Sequence, residues 1–168
     1  MSNSFTDIFF GELDVLVVDM PAGTGDVSIS VGQALPHGEV IVVMTPQSAA
    51  SGVAIRSGSL ARQLNQRVVG VVESVSGMHL DDGGHFEPFG AGGGAGVASK
   101  LSATGETVGL LASIPFSTAL RVCGDAGIPV VIAEPEDKEA LAFVDLAKKL
   151  SVRPRCLAGL PLSVSARD

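Results

Sequence analysis

Short runs of valine and isoleucine, almost unbroken by polar residues, constrain this chain more than any other feature. They fall at Asp14 to Asp19 (DVLVVD), Glu39 to Met44 (EVIVVM), Val68 to Glu73 (VVGVVE), Val108 to Ile114 and Ile128 to Ile132 (IPVVI). A strand with one wet face alternates apolar with polar residues, whereas a continuous run implies cover on both faces, as in a parallel sheet between helical layers. The intervals read as helix. Ser48 to Leu64 and Glu136 to Leu150 are the clearest, the second carrying Ala140, Phe143, Val144, Ala147 and Leu150 on one face. Pro135, Glu136 and Asp137 suit its first turn, and Lys148 and Lys149 its last, where they complement the helix dipole. Further helices are expected to begin near Val27 and to cover about Val97 to Ser102. With 168 residues, one domain is the default. The expectation is a doubly wound α/β domain over residues 1–150, followed by an irregular tail from Ser151 to Asp168 that carries Pro154 and Pro161.

Composition narrows what such a domain does. The net charge of −7 is spread along the chain and repels phosphate backbones and anionic lipid, which argues against nucleic acid or a membrane surface as partner. Seven Phe and no Trp or Tyr supply little stacking surface for single strands. Residues 1–10 lack the features of a signal peptide, and no apolar run approaches the ~20 residues of a membrane helix, so the expected location is cytoplasmic. Cys123 and Cys156 form neither a disulfide framework nor a zinc set, and they suit a reducing compartment. Cys123, in LRVCGDAG, reads as a small core residue at a helix end.

In open α/β sheets ligands sit beyond the carboxyl ends of the strands. The first such position reads Asp19-Met20-Pro21-Ala22-Gly23-Thr24-Gly25-Asp26. An acidic residue ending a buried strand calls for a cation or donors, and a Gly-rich turn entering a helix offers N–H groups to phosphate. Magnesium and nucleotide fit that chemistry. On spacing alone an equal alternative is that Asp19 orders the turn and Asp26 caps the next helix.

The string LDVLVVDMPAGTGD, followed in order by VIVVMTPQ, GVVESVSGM, PFGAGGG, IPFSTALRVCGDAGIPVV and RPRCLAGLPL, resembles the Mrp/Nbp35 family of P-loop ATPases, iron–sulfur cluster carriers related to the ParA and MinD ATPases. The resemblance runs from about Phe10 to about Leu162 and implies a P-loop NTPase fold that binds ATP and Mg²⁺. It implies that Asp19 holds the Mg²⁺ water shell as the catalytic carboxylate. It also implies that Pro21, Gly23, Thr24, Gly25 and Asp26 bind nucleotide, with the Gly23 to Gly25 turn facing the γ-phosphate, and that Ser74 and Pro115 flank the adenine. Ser74 stands where the family usually has Asn, and a hydroxyl cannot make the bidentate contact of an amide.

Two family features are absent. None of the four Lys, at positions 100, 138, 148 and 149, lies in a G-x-x-x-x-G-K-Ser/Thr loop. That loop supplies the N–H cradle and the Lys that neutralise the β- and γ-phosphates, so ATP hydrolysis by this chain alone is expected to be negligible. The chain resembles the C-terminal part of a family member, incomplete at its N-terminus, and a partner carrying the missing loop is expected. Without the strand that accompanies the loop, apolar edges would stay unpaired and favour association. The second absence is the Cys-x-x-Cys pair through which two family chains share an iron–sulfur cluster. The matching segment, Ser74 to Phe89, offers His79, Asp81, Asp82 and His85, a poor replacement for thiolates, and reads as a polar hairpin. The run Gly90 to Ala95 resembles a dinucleotide fingerprint but follows no convincing strand, and reads as a loop entering a helix.

The resemblance therefore implies an iron–sulfur cluster carrier or assembly ATPase, a homodimer when complete, with iron–sulfur proteins as clients. The alternatives are a positioning ATPase of the ParA or MinD kind and a non-catalytic subunit completed by its partner.

Overall fold

The computed structural model describes residues 9, 11–21, 23–80, 83–103 and 105–151. In chain order the elements are α1 (Asp26–Ala34), β1 (Glu39–Met44), α2 (Ser48–Gln63), β2 (Arg67–Ser74), β3 (Met78–His79), β4 (His85–Phe86), α3 (Gly93–Ser102), β5 (Gly109–Ile114), α4 (Thr118–Ala126), α5 (Val130–Ala133) and α6 (Lys138–Ser151). Strands β1, β2 and β5 form a parallel sheet in that order, with Val42 opposite Val71 and Ser74 opposite Ile114. β3 and β4 form a separate antiparallel hairpin in which Met78 faces Phe86.

The sheet advances steadily from β1 to β5, which puts both crossover helices, α2 and α3, on one face. There Val42, Met44, Val71, Ala54, Ala61, Val97 and Leu101 make the larger core. The Arg62 guanidinium ties the two helices together by donating to the carbonyls of Leu101 and Glu106. On the opposite face α6 covers Val72, Leu111 and Ile114 with Ala142, Phe143, Leu146 and Leu150. β2, between its two neighbours, is buried from Val68 to Glu73, as its unbroken apolar run requires. At Gly70 in that strand a Cβ would lie 2.3 Å from the Leu111 side chain, which would have to shift to make room for it.

Two expected strands are not formed. Asp14 to Asp19 joins no ladder among the described residues and is exposed, with Val17 86% accessible. An apolar run becomes a strand only where a neighbour accepts its backbone hydrogen bonds. β1, an edge of the described sheet, also leaves Ile41 and Val43 exposed.

Ile128 to Ile132 is a helix entry instead. α4 ends in a Schellman turn, with Gly127 at φ +69° and the Ile128 and Gly127 amides donating to the carbonyls of Cys123 and Gly124. Pro129 then lacks the donor a ladder needs, and its carbonyl accepts from Ile132 and Ala133 to start α5. Cys123 lies buried in α4, while Cys156 and the tail beyond Ser151 lie outside the described residues. No helix among the described residues is long and apolar enough to cross a membrane.

Candidate functional site

Three strands deliver their carboxyl ends to one edge. β1 ends in Thr45-Pro46-Gln47, β2 in Glu73-Ser74 and β5 in Ile114-Pro115. The N-terminus of α3 is wedged between the first two. Gly93 packs so closely on Pro46 that a Cβ there would lie 2.2 Å from the Pro46 carbonyl oxygen. The next amide, Gly94 N–H, donates to Glu73 Oε2 at 2.6 Å.

Glu73 is only 3% exposed, an acidic side chain at the end of an apolar strand. Its acceptor satisfies one of the free donors of a helix start, and its position suits the positive end of the helix dipole. Gln47 precedes α2 and carries the first helical bonds, accepting from the amides of Ala50 and Ser51. Its side-chain Oε1 is buried and has no partner among the described residues.

The exit from β2 is strained. Val75 adopts φ +56°, a left-handed conformation that a β-branched residue rarely takes and that costs of order 1–3 kcal/mol. Strain of this kind persists where the surroundings over-determine it. Here the following amide, Ser76 N–H, donates to the Ile114 carbonyl at 3.1 Å, and Phe116 N–H donates to the Gly77 carbonyl at 2.7 Å. These bonds lace the β2 and β5 exits together. Ser74 is paired with Ile114, so it lies beside Pro115 across the ladder.

The Asp19 to Asp26 segment occupies a different place. Asp19, Pro21, Thr24 and Gly25 are exposed. Gly23, at φ +96°, is held on the flank of α2, its carbonyl 3.5 Å from Ser57 Oγ and 3.4 Å from Ser28 Oγ. Ser57 lies nine residues into α2, roughly 14 Å along the helix from its start at the carboxyl edge. Gly25 is the N-cap of α1, and Asp26 is its first residue without acting as a cap. The described structure thus brings Ser74 and Pro115 together and leaves the Gly23 turn apart from them.

Glu73, Gln47 and Val75 are the residues that sequence reasoning passed over. Glu73 had a readable signal, a lone charge closing the run VVGVVE. The Gly90 to Ala95 run is, as expected, a helix entry, with Gly92 at φ +77° as the N-cap of α3. In the hairpin His85 pairs with Glu87 at 3.2 Å, while Asp81 and Asp82 lie outside the described residues. No group of three or more His, Cys, Asp or Glu that could hold a metal ion occurs among the described residues.

A parallel sheet that gathers polar groups and a helix N-terminus at its carboxyl edge defines the open α/β class whose ligands bind at that edge. Residues 1–151 match the family described as ParA, NUBPL iron-transfer P-loop NTPase, and the chain belongs to that family. An iron–sulfur cluster carrier protein of Mycobacterium bovis is 49% identical over 94% of this chain and 42% of its own length. One from Synechocystis is 35% identical over 84% of this chain and 39% of its own length. The chain therefore spans about two fifths of the length of these relatives.

Among solved structures, the Pyrococcus furiosus cell division ATPase MinD aligns with a TM-score of 0.60 and 26% identity, over 79% of this chain and 49% of that one. A nucleotide-binding protein from Archaeoglobus fulgidus, solved with ADP, aligns with a TM-score of 0.60 and 28% identity, over 77% of this chain and 50% of that one. The α/β fold is thus of the P-loop NTPase type.

Proposed function

We propose that this chain provides the base-side edge of an iron–sulfur cluster carrier ATPase and does not hydrolyse ATP with its own residues. The supporting observation is the family match across residues 1–151 in a sequence that has no Walker A lysine. At the carboxyl edge, Ser74 pairs with Ile114 and so lies beside Pro115, and in this reading the two flank the adenine. The phosphate end is not matched in the same way. No lysine of this chain follows a glycine-rich loop, and the Gly23 turn sits on the flank of α2. The residues present therefore do not by themselves fit a triphosphate with its Mg²⁺.

In this reading Asp19 is the Mg²⁺-organising carboxylate, the Gly23 to Gly25 turn faces the γ-phosphate, and Pro21 and Asp26 are further nucleotide-binding residues. They act only once a Walker A-bearing partner supplies the missing strand beside Asp14 to Asp19. The exposed Ile41, Val43 and Val17 are the apolar surface such a partner would cover. The assembled protein works in the cytoplasm as a dimer and delivers clusters to client proteins. A positioning ATPase shares the fold, but MinD is matched at 26% identity whereas a cluster carrier is matched at 49%.

The test is ATP turnover by the purified chain, alone and mixed with the remaining part of the Mycobacterium bovis relative. Negligible turnover alone and Mg²⁺-dependent turnover in the mixture, abolished by Asp19→Ala, are expected. Turnover by the chain alone, lost in the same variant, would overturn the proposal.

A further inference from the structure

Two acidic side chains are buried among the described residues, Glu73 and Glu139. Glu73 has Gly94 N–H as its donor. Glu139 is 6% exposed, yet no hydrogen bond or ion pair reaches it among the described residues. It lies in the first turn of α6, where the helix dipole favours an acid, but the dipole leaves the lone pairs of the carboxylate without a donor. Taking a carboxylate out of water without such partners is costly, so the group calls for a donor that arrives from outside the chain.

The packing of α6 fixes where Glu139 sits. Toward the end of the helix, Lys149 Nζ donates to the carbonyl of Leu111, midway along β5. Ten residues separate Glu139 from Lys149, about 15 Å of helix, and four separate Leu111 from Pro115, about 13 Å of strand. α6 runs antiparallel to β5, because its first turn packs beside α4, which starts where β5 has just ended. There Ala140 shares a cluster with Cys123 and Val130, and Leu120 in the first turn of α4 packs against it. Glu139 is therefore level with Pro115 and with Ser74, which pairs with Ile114. It also belongs to the sheet-facing side of α6. Ala142, Phe143, Leu146 and Leu150, which cover Val72, Leu111 and Ile114, follow it at the spacing of one helical face.

From this placement we propose that Glu139 recognises the base, its carboxylate accepting a hydrogen bond from the exocyclic amino group of adenine. The inference rests on the reading that Ser74 and Pro115 flank the adenine. A single hydroxyl at Ser74 cannot make a two-point contact, and Glu139 supplies a further acceptor beside it. The carboxylate also selects between purines. Guanine carries a carbonyl oxygen where adenine carries its amino group, and two acceptors set against each other repel.

The test compares ADP with the diphosphate of purine riboside, which lacks only the amino group. Binding is measured by isothermal titration calorimetry on the chain mixed with the remaining part of the Mycobacterium bovis relative. The native protein is expected to bind ADP about 10–100-fold more tightly than the deaminated ligand, the range for a hydrogen bond to a charged group. In Glu139→Leu the two ligands are expected to bind alike, with ADP weakened by the same factor. A residue that only supports the fold would weaken both ligands together and leave their ratio intact, and that result overturns the inference. Equal binding of the two ligands by the native protein also overturns it, and needs no variant, so the matter is decided even if Glu139→Leu fails to fold. Tighter binding of GDP than of ADP overturns it too, since the carboxylate would then serve the N1 and N2 donors of guanine. No binding of ADP by the mixture overturns the reading on which the inference rests, which keeps the two failures apart.

Discussion

Glu73→Ala removes the one acceptor that the structure gives Gly94 N–H at the start of α3. At 3% exposure no solvent replaces it, and an unsatisfied buried amide costs about 1–3 kcal/mol. Loss of the acidic group from the helix start adds about 0.3–1 kcal/mol. The expected destabilisation is about 3 kcal/mol, or a drop of about 6–12 °C in melting temperature for a domain of this size. Glu73→Gln keeps an acceptor oxygen in the same place and drops only the formal charge, so its loss is expected to stay within about 1 kcal/mol. Thermal unfolding followed by circular dichroism gives both values, and amide exchange at Gly94 reports the bond directly. Equal losses in the two variants would refute the reasoning, because the effect would then come from the charge and not from the acceptor. An unaffected Glu73→Ala protein would refute it more simply, since the helix start would have found another partner.

Further substitutions probe the same packing. Gly96 and Gly94 both lie inside α3, but a Cβ at Gly96 meets nothing within 4 Å whereas one at Gly94 falls 2.9 Å from Leu110 and 3.0 Å from Glu73. Gly96→Ala is expected to stabilise by about 0.5–1 kcal/mol and Gly94→Ala to destabilise, with opposite shifts of the urea midpoint as the check. Val75→Gly relieves the positive φ after β2 and is expected to raise the urea midpoint, by about 1 kcal/mol of stability; a lowered midpoint would show that the side chain contributes more than the strain costs. Leu101→Ala empties a site 1% exposed between α2 and α3 and is expected to cost about 3–5 kcal/mol in the same assay.

Much of the architecture was legible because it depends on local pattern. The runs at Glu39 to Met44 and Val68 to Glu73 became neighbouring strands, and the amphipathic period after Glu136 became α6, which the structure begins at Lys138. The candidate site was legible only in part. Ser74 and Pro115 share an edge because strands of a parallel sheet end together. Glu73 looked like one more strand residue, since its partner lies 21 positions away and is a backbone amide without a sequence signature.

The sequence by itself determined the α/β class, through the unbroken β-branched runs and the helical intervals between them. It also settled that the chain holds no Walker A lysine. Tertiary structure decided which runs became strands. Asp14 to Asp19 is valine-rich like β2 but joins no ladder among the described residues, and Ile128 to Ile132 was diverted by a Schellman turn and a proline. A strand is a relation between two segments, and period alone reports only one of them.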